Sequence, residues 1–399
     1  MSRDLASAAW LEEEARRLLE FPRGPVPPHG GAYWLGDHGD PIEHEAIHTW
    51  ITARTLYVYA LADLAGMTPP RWRVDAAARG LAGPLRDPAN GGWRESSVSS
   101  WDKTAYAHAA VLLATAAAKR ARFPVDDLFH EALDAIDRHL WDERSGMSRD
   151  TMSADWSSSS RYRGLNANMH LVEAFLAVDP ADAPGLVDRA IGICRRAAGW
   201  AADNEWRLPE HFDDRWTPDL AHGADRPDDP FRPYGSTPGH GFEWARLMVG
   251  ASRASGAADR GWLMEAATAL YDRAATDGWA RNGHPGFAYT VDWSGRPVVE
   301  TRLFWVPAEA VAAAAVLHRA TGEARYERDC ALWWRYIAAY LVDRTKGSWR
   351  HELDAENRPA HTIWRGKPDL YHAFQACLIP RLPLAASVVA SVAAEGADV

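Results

Sequence analysis

Helical segments recur in pairs along this chain, roughly every 60 residues, with Gly-, Trp- and Asp-rich turns between them. Helical periodicity is read over residues 8–21, 45–64, 72–82, 103–120, 126–140, 166–178, 184–202, 243–255, 261–276, 306–321, 323–341 and 369–378. No run alternates strand with helix, so a parallel sheet is excluded. The strongest strand signal is one hairpin over residues 287–299, turning at Ser294-Gly295. Many of the helices are Ala-rich, which lets helix axes approach closely. About a dozen such helices, with loops at alternating ends, predict an all-α fold: a ring of helix pairs, the (α/α)6 barrel, with short β-hairpins in the loops at one end. Ser157–Ser160 is a polar linker inside one domain spanning residues 1–399.

In a closed ring the inner helices face a central cavity. Polar residues on otherwise apolar helices therefore mark that cavity, because burying them unpaired is costly. Arg54, Asn166, Asn168, His170, Glu173, Glu309 and His372 are such residues. Asn166 and His170 are four apart and share a helix face. A second signal is the stretch Arg232–Arg246, where Pro238-Gly239 turns the chain just before His240, and Glu243 follows one helical turn later. An imidazole at a loop-to-helix junction beside a carboxylate is suited to acid/base work. Each such residue taken singly is as readily a cap or a packed core group; the set together points to a site built on His240 and His372.

The bulk properties narrow the partners. A formal net charge of −10 with no basic stripe argues against nucleic acid. Trp is over-represented at 20 residues, and indole faces suit both sugar clefts and plain cores. Three cysteines without C-x-x-C spacing fit free thiols in a reducing compartment. The N-terminal residues lack an apolar signal core, and no window is long and apolar enough to span a membrane, so the expectation is a cytoplasmic location.

His44-Glu-Ala-Ile-His48 spells the H-E-x-x-H pattern of zinc sites. It stands at the first turn of its helix, just after Pro41, with Arg54 on a different face and no third ligand at a telling spacing. The expectation is no metal. Serine-hydrolase, Rossmann and P-loop patterns are missing, so no cofactor is expected either.

Several segments, taken together, resemble the N-acylglucosamine 2-epimerase superfamily, and within it the branch of aldose–ketose isomerases. They are His48–Arg54, Leu85–Trp93, Arg163–His170, Glu210–Asp213, Thr237–Trp244, Tyr289–Trp293 and Asp369–His372, in the family's order over nearly the whole chain. The resemblance implies an (α/α)6 barrel and a metal-free interconversion of mannose and fructose. It implies His240 and His372 as the acid/base pair, with Arg54, Asn166, His170 and Glu243 binding or orienting a monosaccharide. Glu309 and Trp305, which share one segment, are added to the binding set. Glu243 is expected to fix the tautomer of His240. Sulfosugar enzymes of the branch carry extra polar residues at three places held here by Pro230, His351 and Pro368; neither proline offers a donor to a sulfonate, which favours mannose over a sulfonated sugar.

Isomerisation needs ring opening, removal of the C2 proton and its return to C1, all within reach of imidazole near neutral pH. His372 is assigned the C2–C1 transfer and His240 the ring opening, with these roles open to exchange. Arg54 would stabilise enediol charge. Three rivals use the same residues: a 2-epimerase, a glycoside hydrolase on carboxylates such as Glu173, Glu243 and Glu309, and a sugar-binding protein without catalysis.

Overall fold

The computed structural model describes residues 7–395. The first six residues, part of the stretch read for a signal core, lie outside that range. The helices are α1 (Ala8–Leu19), α2 (Thr49–Leu64), α3 (Arg71–Ala82), α4 (Ala105–Arg120), α5 (Asp126–Ala135), α6 (Leu165–Ala177), α7 (Leu186–Ala202), α8 (Pro238–Ala254), α9 (Ala257–Gly278), α10 (Trp305–Thr321), α11 (Ala324–Tyr336), α12 (Tyr371–Leu378) and α13 (Val388–Glu395).

The even-numbered helices form a closed inner ring. α2 packs on α4, α4 on α6, α6 on α8, α8 on α10, α10 on α12, and α12 returns to α2. Each inner helix has an outer partner: α3 for α2, α5 for α4, α7 for α6, α9 for α8, α11 for α10, and α1 for α12. This is the (α/α)6 barrel. The sequence explains the sorting. Inner helices touch neighbours on every side and are apolar all round, as in α4, where Ala105, Ala109, Ala114, Ala117 and Ala118 are fully buried. Outer helices bury one stripe only: α3 hides Val74, Ala77 and Leu81 and leaves Trp72 half exposed.

Connections from inner to outer helices are short, at 65–70, 121–125, 178–185, 255–256 and 322–323. The return connections are long, and all the short strands lie in them. The expected hairpin is there, pairing Thr290–Val291 with Pro297–Val299. Gly295 takes φ +79 at its tip, and a Cβ there would stand 2.6 Å from Arg207 Nη2. Buried ion pairs pin these loops: Lys103 to Asp87 at 2.5 Å, Arg207 to Asp277 at 2.7 Å and Lys367 to Asp343 at 2.9 Å. At the opposite end α13, which periodicity did not reveal, plugs the ring against α2, α4 and α6.

Some boundaries move. α2 begins at Thr49 rather than at residue 45, so the H-E-x-x-H pattern lies ahead of the helix and its histidines do not share a helical face. α8 begins at Pro238, with proline in the first turn where its missing N–H is harmless, so His240 is inside the helix. Residues 136–140 and 337–341, read as helix, wind as π turns at the ends of α5 and α11. The cysteines are free, with Cys194 and Cys377 buried. Among the described residues no helix is long and apolar enough to cross a membrane.

Candidate active site

All six inner helices begin at the end of the barrel that carries the long loops, and their first two turns surround one hollow of about 710 Å³ including its open mouth. Trp50 and Arg54 come from α2, Tyr106 from α4, Asn166 and His170 from α6, His240 and Glu243 from α8, Trp305 from α10 and His372 from α12. Helix N-termini carry partial positive charge, so the fold aims six of them at a place where an anion can form. The loops supply Pro230, Phe231, Pro233, Tyr289, Phe304, His351, Trp364, Pro368 and Asp369. Of the many tryptophans, Trp50, Trp305 and Trp364 line the hollow, whereas Trp93, Trp244, Trp334 and Trp349 are fully buried core residues.

His240 and His372 face the same indole, 5.1 and 5.8 Å from Trp305 between ring centroids. Each points Nδ1 at a buried carboxylate. His240 Nδ1 lies 2.8 Å from Glu210 Oε1, and His372 Nδ1 lies 2.8 Å from Glu309 Oε1. With the ring neutral, Nδ1–H donates to the carboxylate and Nε2 keeps a lone pair, ready to accept a proton. Two sequence expectations are corrected here. The carboxylate on His240 is Glu210, not Glu243. Glu309 does not line the hollow but sits behind His372, also accepting from Arg246 Nε at 2.9 Å. Glu210 is placed by the strand that follows it, whose His211 and Phe212 pair with Gly164 and Arg163 at the start of α6.

Arg54 Nη1 donates to Asp369 Oδ2 at 2.7 Å, and its guanidinium lies 4.4 Å over Tyr371 and 5.3 Å from the Trp50 ring centre. Asp369 in turn accepts from the Tyr371 amide at 2.8 Å. Burial alone would raise the Asp369 carboxyl, but Arg54 and His372 hold it below its ordinary value. Asn168 turns away from the hollow: its Oδ1 accepts from the Ser148 amide at 2.8 Å and its Nδ2 donates to Gly164, a structural role.

Beneath the hollow lies a buried charge cluster that sequence reasoning caught only in part. Arg246 sits 2.9 Å from Glu309, 3.3 Å from Glu173 and 3.7 Å from Glu243. Tyr371 donates to the other oxygen of Glu173, and His170 Nδ1 stands 3.7 Å from that carboxylate. Burial works to raise Glu173, yet Arg246, His170 and Tyr371 outweigh it and hold the group at about 2. Glu243 goes the other way. Burial and the neighbouring Glu309 push it well above the usual carboxylate range, against the pull of Arg246 and Arg54. Burial also lowers His170 to about 4, keeping that ring neutral.

Two groups here have atoms close enough to hold a metal, His170–Glu173–Glu243 and Glu243–Glu309–His372. Arg246 already supplies the cation among these carboxylates, and a divalent ion would have to displace it. His44 is exposed, and His48 packs beside Trp34, 5.7 Å between ring centroids. The signals for Arg246 and Glu210 were weak. Arg246 closes the stretch that drew attention to His240, but nothing in its spacing points to Glu173 or Glu309. Glu210 lies 30 residues before its histidine, in a loop.

The model of the N-acylglucosamine 2-epimerase (GlcNAc 2-epimerase) family matches residues 30–376. A D-mannose isomerase of Thermobifida fusca is 43% identical, over 98% of this chain and 98% of its own. One from Pseudomonas cannabina pv. alisalensis is 40% identical, over 98% and 96%. The crystal structure of a D-mannose isomerase superposes with a TM-score of 0.85 at 26% identity, covering 94% of this chain and 98% of the other. With the ring of helices and the matched span together, the chain belongs to the N-acylglucosamine 2-epimerase family.

Proposed function

We propose that this protein is an aldose–ketose isomerase that interconverts D-mannose and D-fructose, acting as one domain on a free monosaccharide in the cytoplasm. The observation that carries the chemistry is the pair of imidazoles over one indole, each backed by a buried carboxylate. The relatives named D-mannose isomerase support the substrate. Pro230 and Pro368 line the hollow with no side-chain donor, which suits a neutral sugar.

In this reading His240 opens the pyranose by moving a proton between O5 and O1. His372 then takes the proton from C2 and, after exchange with solvent, delivers one to C1, while His240 passes the O2 proton to O1, and Glu309 stabilises the imidazolium formed in between. Arg54 and the converging helix N-termini stabilise the enediol oxygens, and Asn166, His170 and Glu243 hold hydroxyl groups. No metal or cofactor is needed, because the imidazoles move every proton. A hydrolase would need a carboxylic acid and a free carboxylate facing each other across the cleft. Asp369 is paired with Arg54, and Glu173 and Glu309 are tied to Arg246 below the hollow, which leaves Glu243 without a free partner carboxylate.

Incubation with D-mannose in D2O tests this. The expected product is D-fructose with deuterium at C1, unaffected by EDTA, and His240→Ala or His372→Ala should lower turnover by about 10³-fold or more with the fold intact. Glucose carrying deuterium at C2 would instead establish a 2-epimerase. Free sugar released from a disaccharide, or no exchange at all, would remove the assignment.

A further inference from the structure

The two imidazoles stand on unequal supports. Among the described residues, no arginine or lysine is joined to Glu210 behind His240, whereas Glu309 behind His372 is held by Arg246. Arg246 is 6% exposed and does not line the hollow, so it meets neither the sugar nor the reacting atoms. It moves no proton itself.

Its geometry is that of a strut between helices. From α8, Nε donates to Glu309 Oε2 on α10 at 2.9 Å, and Nη2 donates to Glu173 Oε1 on α6 at 3.3 Å. The other oxygen of Glu309, Oε1, stands 2.8 Å from His372 Nδ1 on α12. One carboxylate thus takes the arginine on one oxygen and the imidazole on the other. That fixes its plane and leaves Nε2 of His372 on the side of the hollow.

Charge decides how many protons the Glu309–His372 pair carries. The pair is faced by Arg246 and Glu243 from α8, Glu173 and His170 from α6, Tyr57 from α2 and Tyr371 from α12, and by Asp369 and His351 from the loops. Arg54 is engaged with Asp369. Among the described residues, Arg246 is the one permanent cation in contact with Glu309. Burial works to raise the Glu309 carboxyl, yet Arg246 and His372 hold it below its ordinary value. Without the arginine, two buried carboxylates lose their counter-ion, and the pair takes up a proton at a higher pH. On Glu309 that proton would donate to Nδ1 and shift the ring to its Nε2–H form; on His372 it would fill Nε2 directly. Either way the base facing C2 is gone.

We propose that Arg246 is a positioning residue for the proton transfer at C2: bonded to Glu309, it keeps that carboxylate an acceptor for His372 Nδ1–H, so that His372 presents an unprotonated Nε2 to the sugar. Its part in turnover rests on the isomerase reading above; the state of the ring does not.

Arg246→Met removes the cation, and Arg246→Lys returns it without the guanidinium fork. Because a methionine among buried carboxylates can unfold the barrel, Arg246→Met is also combined with Glu173→Gln and compared with Glu173→Gln alone. The kcat/KM for D-mannose is followed across pH. Protonation of the His372 ring is followed over the same range by nitrogen NMR of isotope-labelled histidines, assigned with His372→Ala. The wild-type ring should carry its proton on Nδ1 alone where kcat/KM is flat. Arg246→Met should move the acid limb of kcat/KM up by about one pH unit or more, which is about tenfold in rate on that limb, and Nε2 should gain its proton at correspondingly higher pH. The combined variant should be displaced in the same direction from Glu173→Gln, and lysine should recover most of the shift. Acid limbs within about 0.3 pH unit of their parents' in both methionine variants would overturn the proposal. So would a lysine variant no better than methionine, or an Nε2 that gains its proton at the wild-type pH. A wild type that turns no mannose into fructose would remove the isomerase reading, and the state of the ring in the variants would still decide what Arg246 does.

Discussion

Each imidazole has its own carboxylate, and the two carboxylates differ in what stands behind them. Glu309 shares itself between His372 and Arg246, whereas among the described residues no Arg or Lys pairs with Glu210. Glu210→Gln keeps the shape but lets an amide N–H face Nδ1, which favours the wrong tautomer of His240. Turnover should fall about a hundredfold or more while the melting temperature holds, by analogy with the loss of an orienting carboxylate in other histidine-based sites. Protonation gives a second prediction. The lowered values of His108 and His170, about 4, and His351, about 3, lie below the ordinary 6.5, so the unfolded chain binds more protons than the native one in that range. Their contribution to stability is full above 6.5 and is lost as pH falls towards 4 and 3. Glu173 and Asp87, each held at about 2, add a further loss as pH falls below their ordinary values of 4.5 and 3.8. The melting temperature should therefore decline from about pH 6.5 downwards in two stages, measurable by calorimetry in a pH series. The two histidines could be found in the sequence because they sit in distinctive local contexts. Their carboxylates lie 30 and 63 residues away, and no local pattern carries that information.

The helices give the site its rigidity at their starts, where side chains of neighbouring helices approach closely. Gly239 shows how close: a Cβ there would stand 2.3 and 2.5 Å from two ring atoms of Trp305 and 3.0 Å from a Val306 methyl. Gly239→Ala would gain up to about 1 kcal/mol in helix propensity and lose about 1–3 kcal/mol to overpacking. Its stability should fall modestly, while kcat/KM falls about tenfold or more because the indole under both histidines must move. A steady-state assay beside a thermal melt distinguishes the two effects. Most helices were evident from periodicity because each carries a long apolar face. The start of α2 was misplaced because residues 45–48 continue its charged and apolar alternation, yet the backbone there turns, and His48 caps the helix without a side-chain hydrogen bond. The two-residue strands had no periodicity to show, and only the hairpin with a glycine tip declared itself.

At the scale of the whole molecule the barrel has one working end and one sealed end. α13 seals the second, burying Val388, Val389 and Val392 over the C-terminal ends of the inner helices. The segment leading into α13 crosses α8 so closely that a Cβ on Gly250 would stand 2.4 Å from the Ala386 carbonyl. Removal of residues 387–399 should cost about 3–6 kcal/mol from those valines, lowering the melting temperature while leaving measurable activity at low temperature. Ring closure was legible as an expectation from the number of helix pairs. The plug was not, because eight residues rich in valine and alanine resemble any short apolar stretch.

The ring closes through α12 against α2, with α1 laid over α12 and Arg54 joined to Asp369 across 315 residues of chain. A ribosome making this protein releases the first wall of the chamber long before the last. Until residues near 372 emerge, one proton carrier is missing, the guanidinium of Arg54 has no counter-ion, and the apolar sides of α2 and α10 have no neighbour. The nascent chain must therefore wait, inactive and sticky along two open seams, for its final helices to arrive.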